Sequence, residues 1–376
     1  MQNNRLLSKK LIIRTVIIFL VAILTITFVK FDYFMYEDTV ATIKTVKNTK
    51  VISKKGYEGR YEEDYYKQDL TGQIRNGIFK GKVVYMENRC TKSGVYDITY
   101  HKGDDVFIEK VEEDSRGNIS AVVTSPKRDF YVVTALVLML AFFVLIGGSK
   151  SVLTVISLAL NLCCFYVVIL LYFKGLNILA MSIPMVIVFA AMLLLFMYGK
   201  NIKTLLAFVA TVITTAVTLI IACIALNFSD NIEYDFLEYI IQPYDPVDAR
   251  NIFLAEILVG CLGAVMDVVV TMIVTIEEIN LANPNMDKRF ILKSCRNVGD
   301  EIVGTMIAIM FFTNLASDIP FFILSMRNGI AIRTILRYNY FFEIGRFLTG
   351  SIAVVLAIPI ASFIGVMFYK RRLKKC

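Results

Sequence analysis

Eight apolar stretches divide the chain, and each contains few or no charged residues. Each is close to the roughly 20 residues with which an α-helix crosses about 30 Å of hydrocarbon. They occupy residues 11–29, 131–147, 152–173, 176–198, 204–226, 252–274, 302–325 and 347–369. The pattern predicts a mainly α fold, a polytopic transmembrane helix bundle of about eight spans.

The segment between the first two stretches, residues 30–128, follows a different pattern. Up to about Lys67 it has no clear period, which indicates an extended or partly helical stalk. From Gly72 onward, short β-like runs alternate with turn signals such as Asn76-Gly77. The runs are Gln73–Arg75, Phe79–Tyr85, Val95–Tyr100, Val106–Val111 and Ile119–Thr124. Five short strands predict a small, β-rich antiparallel barrel of the OB or SH3-like type.

Three domains follow from these patterns. Residues 1–29 form an N-terminal cytoplasmic tip and membrane anchor, residues 30–128 a stalk and small β-barrel, and residues 129–376 a seven-span membrane domain. The first apolar stretch begins with basic residues, as a signal peptide does. Its length, and the lack of a small-x-small cleavage pattern after Val29, predict an uncleaved anchor.

The composition also agrees with a membrane protein. Hydrophobic residues make up 57% of the chain, above the ~45–50% typical of soluble domains. The net charge of +8 is scattered over loops and ends, so no nucleic-acid partner is expected.

The distribution of basic residues predicts the orientation in the membrane. With the N terminus cytoplasmic, cytoplasmic segments carry sixteen Lys and Arg residues and short outer loops carry six. The positive-inside rule therefore predicts a plasma-membrane protein with both termini cytoplasmic and residues 30–128 extracytoplasmic.

Several classes of chemistry are excluded by residue content. His101 is the single histidine, so H-E-x-x-H zinc peptidases and the usual His-rich metal sites are excluded. Only Cys90 of the seven cysteines lies in the polar segment, so no disulfide can form within it. No G-x-x-x-x-G-K-[ST] loop occurs, and the run ending at Asp300 lacks the first glycine of the G-x-G-D protease motif. We therefore expect no catalytic residues, metal or cofactor, and no enzyme activity.

The sixth span carries two acids at bilayer depth, where an ionisable group costs ~2.5–3.5 kcal/mol. Glu256 and Asp267 are eleven residues apart, which leaves them within about 20° of one helix face. Gly260, Gly263 and Glu278 share that face. Small residues on such a stripe permit close approach of another helix.

The seventh span repeats the arrangement. One face carries Asp300, Gly304, Ile307, Phe311, Asn314 and Asp318. Helix rise places Asp267 and Asp318 about 13 Å apart along the membrane normal, too far for a catalytic dyad, whereas Glu256 and Asp318 could be neighbours. Three explanations of the polar faces remain open: polar contacts between helices, an ion-conducting path, or a catalytic site.

Three runs of the membrane part combine glycines and acids in a characteristic way. They are Gly260-Cys261-Leu262-Gly263-Ala264-Val265-Met266-Asp267-Val268, Val298-Gly299-Asp300-Glu301-Ile302-Val303-Gly304-Thr305-Met306, and Glu343-Ile344-Gly345-Arg346 through Gly350-Ser351 to Ile358-Pro359-Ile360. They resemble the signatures of the YibE/F-like family of bacterial membrane proteins. The resemblance implies an anchor, a β-rich outer domain ending in a segment like Gly103-Asp104-Asp105-Val106, and about seven further spans. It maps the acid of the second motif to Glu301 and the membrane-depth polar group to Asn314.

We predict a transporter or permease for a small solute or ion, with intramembrane carboxylates coupling it to protons or cations. Asp267, the acid nearest the bilayer centre, is expected to gain and lose a proton. Glu256 and Asp318 would form the outer approach, Asn314 the midpoint, and Glu278 with Glu301 the inner exit. Asp300 is also assigned to the coupling or substrate path. Helix packing is assigned to Gly260, Gly263, Gly304, Gly350 and Pro359.

Two other functions stay open. The first is a non-transporting membrane scaffold whose outer β domain recruits partners, and the second is an enzyme acting on lipid or cell-wall precursors. The expected partners are the lipid bilayer, an unknown small solute or ion, and another copy of the chain or a membrane partner protein.

Overall fold

The computed structural model of the protein describes residues 2–55, 62–94, 97–115, 117–228, 246–338 and 340–373. The chain divides into two compact units, Met1–Gly148 and Ser149–Cys376. The first contains the β-barrel with one helix before it and one after it. The second is entirely helical in its described parts.

The first unit begins with α1 (Gln2–Lys30) and ends with α2 (Asp129–Gly147). Between them lie five strands: β1 (Thr39–Lys55), β2 (Glu62–Ile74), β3 (Val83–Thr91), β4 (Asp105–Glu113) and β5 (Ile119–Pro126). They form a closed barrel in the order β1-β2-β3-β5-β4, in which β1 pairs with β4. All pairs are antiparallel except β3 with β5. The predicted small five-stranded barrel is confirmed.

The barrel core comes from alternating positions on each strand. On β3 the alternation buries Val84 and Met86, and on β4 it buries Val106 and Ile108. Period-two alternation sends these side chains to the interior and their neighbours to solvent. Gly72 on β2 allows a close approach, because a Cβ there would lie 3.0 Å from the Thr42 carbonyl oxygen.

Two expectations for this segment were wrong. The expected stalk is instead built into β1 and β2, which are 17 and 13 residues long. Their pattern is obscured because β1 is exposed on both faces from Lys47 to Ser53, where it is an edge strand that pairs with β2 alone. The expected strand at Val95–Tyr100 is absent where it is described: residues 97–100 form no strand, and Gln68 and Asn88 hold their backbone. Val95 and Tyr96 lie outside the described residues.

A buried lysine joins the barrel to its two helices. Lys127 Nζ donates to the Val29 carbonyl oxygen at 2.9 Å and pairs with Asp32 at 2.8 Å and Asp129 at 2.9 Å. Burial opposes the charge, but the hydrogen bonds to both aspartates outweigh it and raise the pKa of Lys127. Burial, together with a hydrogen bond donated to Asp129, raises the pKa of Tyr36 to about 12.

The second unit contains seven helices within its described residues. They are α3 (Ser149–Phe173), α4 (Ile178–Tyr198), α5 (Ile202–Asn227), α6 (Pro246–Ala282), α7 (Lys288–Arg327), α8 (Ile332–Tyr338) and α9 (Tyr340–Leu373). In the described part of the chain, α2 to α7 and α9 are long and apolar enough to cross a membrane. These seven helices confirm the predicted later spans. The predicted first span coincides with α1, whose side chains up to Ile13 are not described.

Helix α6 is the centre of this unit, with α4, α5 and α9 around it. Phe253 of α6 lies near Gly345 of α9, and Ile276 lies near Gly365, so these two helices run parallel. Helix α5 runs antiparallel to α6. Arg250 donates to Asn227 Oδ1 at 2.7 Å at one end of the pair, and Lys203 pairs with Glu277 at 3.2 Å at the other.

Candidate functional site

One face of α6 remains uncovered within the second unit. Glu256, Gly260, Gly263, Asp267 and Glu278 are all exposed there, whereas most neighbouring positions of the helix are buried. The hydroxyl of Thr271 donates to the backbone carbonyl oxygen of Asp267 at 2.7 Å, so the Thr271 side chain has its hydrogen-bond partner within α6. The stripe inferred from the periodicity is therefore a continuous polar surface along α6.

The half of this stripe nearer the start of α6 opens into a cavity of about 400 Å³. Helices α6, α7 and α9 form its walls. Its polar lining comes from Glu256, Thr313, Asn314 and Arg346, and its small residues are Gly260, Ala264 and Gly350. Glycine and alanine at these positions leave the space that larger side chains would fill.

An arginine holds two carboxylates at the cavity. Arg346 Nε lies 3.0 Å from Glu256 Oε1, and its Nη1 donates to Glu343 Oε1. The guanidinium also lies 5.7 Å from the centre of the Phe253 ring. The Glu256 side chain is 45% exposed and that of Arg346 is 19% exposed. Two carboxylates therefore converge on one guanidinium beside the cavity.

The sequence prediction missed Arg346 and Glu343 as site residues. It placed Arg346 in an outer loop, but α9 begins at Tyr340 and carries both side chains on its first turns. Opposite charges three residues apart, directly before an apolar span, form a helical pair and were the available signal. Glu256, the other carboxylate that Arg346 pairs with, is 90 positions away in the chain, so local pattern could not identify the Glu256–Arg346 pair.

The other predicted residues are divided between the cavity and its surroundings. Asn314 lines the cavity, while Asp318 lies one turn further along α7 and is half-buried outside the lining. Asp267 lies about 16 Å along α6 from Glu256. Glu278, Asp300 and Glu301 are exposed and lie outside the lining of the cavity.

The predicted packing glycines behave in two ways. Among the described residues, no atom lies within 4 Å of a Cβ built at Gly260, Gly263 or Gly304, so these three mediate no helix contact within the chain. Gly260 lines the cavity, and Gly263 and Gly304 are exposed. Gly350 does pack, with its Cβ position 3.3 Å from Met310 Sδ. Pro359 lies inside α9 and is exposed.

Two other glycines make the close contacts instead. A Cβ at Gly299 would lie 2.7 Å from Ile358 Cδ1, and one at Gly365 would lie 2.6 Å from Ile276 Cδ1. Within the described residues, no group of three His, Cys, Asp or Glu side chains is arranged to hold a metal ion.

Fold and site together define a multi-pass membrane protein with a small β-barrel domain before its helical domain. Residues 135–371 match the family model of the YibE/F-like protein, and residues 34–126 match that of the YibE/F family N-terminal domain. The chain belongs to the YibE/F-like family. Comparison with curated proteins and with solved structures gave no match.

Proposed function

We propose that the protein is a transporter or permease for a small cation or solute, coupled to protons or cations through its intramembrane carboxylates, and that it is not an enzyme. The observation that carries the proposal is the cavity at Glu256 and Arg346, which adjoins the uncovered acidic face of α6. We further propose a plasma-membrane location, with both termini cytoplasmic and residues 30–128 extracytoplasmic.

The cavity supplies a binding step. A cation that enters it competes with Arg346 for the carboxylate of Glu256, while Glu343 keeps the guanidinium paired. Because Arg346 stays paired with Glu343, a cation can take its place at Glu256 without leaving the guanidinium unpaired. Thr313 and Asn314 offer uncharged oxygens across the cavity.

Asp267 supplies the coupling step. It lies on the same face as Glu256, about three helical turns away, and is exposed within the unit. A carboxylate in this position carries a proton or cation between the cavity and the part of α6 that bears Glu278. Intramembrane acids of proton relays have this arrangement.

A scaffold is the second candidate, because the edge strand β1 exposes apolar side chains where it pairs with β2 alone. Val51 and Ile52 are exposed on β1, beside the exposed Tyr65 of β2. Exposed strand edges and apolar residues form docking surfaces for partner segments. In this function the barrel would recruit a protein, and the acids of α6 would have no titratable role.

Purified protein in liposomes with a trapped pH dye distinguishes the two functions. Gradients of Na⁺, K⁺ and Mg²⁺ are imposed in turn, and the internal pH is followed. Asp267→Asn keeps the side-chain shape but removes the charge, so we expect ion-driven pH change to be lost while the protein still inserts. Asp267→Glu retains partial activity with a shifted pH optimum.

The matched control is Glu109→Gln, an exposed carboxylate of the barrel, which should leave transport unchanged. Glu256→Gln should weaken the apparent cation affinity without abolishing insertion. Full activity of Asp267→Asn would refute the coupling role. A fall in melting temperature alone would instead assign Asp267 to helix packing.

A further inference from the structure

The first unit has a cavity of its own, of about 330 Å³, where its helices meet the barrel. It lies beside the last residue of α1, the end of β5 and the first turn of α2. Its lining includes Lys30, Tyr100, Asp104, Lys127, Arg128 and Tyr131. The proposed function assigns no role to this cavity.

The acidic groups at this cavity accept hydrogen bonds within the fold. Asp105 accepts from the Tyr33 hydroxyl at 2.9 Å and from Thr42. Asp104 Oδ2 accepts from the backbone N–H of His101 at 2.8 Å. The ammonium of Lys127 forms ion pairs with Asp32 and Asp129.

Two cations remain at the cavity. Lys30 and Arg128 are both exposed, and no carboxylate of the described chain lies within 4.0 Å of either. Lys30 Nζ lies instead 5.7 Å from the centre of the Phe130 ring. Two bases without an ion-pair partner among the described residues can both donate to an anionic group with several acceptor oxygens.

Aromatic side chains place the cavity at the boundary of the apolar helices. Tyr131 is 68% exposed on the first turn of α2, and Phe31 and Phe34 are exposed just after α1. Exposed aromatic residues at the ends of apolar helices occupy the headgroup level of a membrane. None of the residues in the most apolar part of α2 is buried in the protein, so this helix offers its surface to acyl chains.

We propose that this cavity binds the phosphate of a glycerophospholipid headgroup, with Lys30 and Arg128 on either side of the phosphodiester. The acyl chains would lie along the apolar surface of α1 and α2. A bound lipid would hold the end of α1, the barrel and the start of α2 at one depth in the membrane.

Native mass spectrometry of the full-length protein in detergent tests the proposal. Dioctanoyl phosphatidylglycerol is the lipid probe, and inorganic phosphate and dioctanoylglycerol are tested separately. Lys30→Gln with Arg128→Gln should weaken phosphatidylglycerol binding about thirtyfold, since each base contributes near a charged lipid surface. Lys44→Gln with Lys92→Gln removes the same charge from exposed barrel positions outside the cavity and should leave binding unchanged.

Thr99→Asp provides a second variant, because Thr99 is an exposed lining residue. It adds a negative charge at the cavity without removing any contact of Lys30 or Arg128, and should also weaken phosphatidylglycerol binding. Equal binding by the wild type and both cavity variants would overturn the proposal. Equally strong binding of dioctanoylglycerol would do so as well, and displacement of the lipid by an equal concentration of inorganic phosphate would assign the site to free phosphate.

Discussion

At the scale of single residues, the molecule depends most on two basic side chains that each hold two carboxylates. Lys127 in the first unit is 3% exposed and pairs with Asp32 and Asp129. Arg346 in the second unit pairs with Glu256 and Glu343. The lysine is enclosed where the barrel meets its two helices, whereas the arginine borders a cavity.

Replacement of Lys127 with Gln should therefore be strongly destabilising. It leaves the buried Asp32 and the half-buried Asp129 without a cation, and breaking a buried pair typically costs about 3–5 kcal/mol. Thermal unfolding of the full-length protein in detergent measures the loss, and Lys44→Gln, at an exposed position, is the control. A melting temperature equal to that of the control would show that the pairing contributes nothing.

The pH dependence of this contribution has a definite sign. The pKa of Lys127 is raised above its ordinary value of 10.5, so the charged form is favoured in the folded protein. Its stabilisation is complete below that pH and is lost as the pH rises through the raised pKa. The difference in melting temperature between wild type and Lys127→Gln should thus stay constant from pH 7 to 9.

At the scale of elements, helix contacts depend on which glycines face a neighbour. Gly299 and Gly304 lie on the same helix, α7, five residues apart. A Cβ at Gly299 would meet three atoms of Ile358, while no described atom lies within 4 Å of one at Gly304. Sequence alone marks both positions as small.

The two positions should respond in opposite directions to alanine. Gly299→Ala forces Ile358 to move, and such overpacking typically costs about 1–3 kcal/mol. Gly304→Ala meets no described atom and lowers the conformational entropy that this position loses on folding, so it should stabilise the helix by roughly 0.5–1 kcal/mol. Melting temperatures of the two variants, measured side by side, test the packing of α7 on α9. Equal effects would show that this contact is absent.

Barrel closure gives a second test at this scale. Strand β1 pairs with both β2 and β4, so a fragment that lacks it has two open edges. Residues 34–128 expressed alone should give a β-type circular-dichroism spectrum with a cooperative thermal transition. Residues 68–128, which lack β1 and half of β2, should not fold. A folded shorter fragment would contradict the closed order of strands.

At the scale of the whole molecule, two units of different construction share one chain. The first is a barrel between two helices, and the second buries α6 among its neighbours. Many large apolar side chains of both units are exposed, including Phe142 on α2 and Phe312 on α7. Such a surface suits lipid rather than water.

The proposed orientation predicts which positions an impermeant reagent can reach. In a cysteine-free background, single cysteines at Ser53 and Ser115 should react with an impermeant maleimide in intact cells. One at Asn285 should react only after permeabilisation. All three positions are exposed, so burial does not limit the reaction. Labelling of Asn285 in intact cells would reverse the topology.

The sequence by itself determined the features that depend on local pattern. Span length reflects the thickness of hydrocarbon, so the later helices could be located, and helical periodicity was sufficient to identify the polar face of α6. The presence of a small barrel followed from short alternating runs and turns.

Only the tertiary structure decided the features that depend on contacts between distant elements. The long strands β1 and β2 escaped prediction because their outer halves have no buried face. The Glu256–Arg346 pair joins residues 90 positions apart, and the choice of Gly299 over Gly304 as a contact depends on how α7 is rotated against α9. Those rotations arise from side-chain packing across helix interfaces, which no local period encodes.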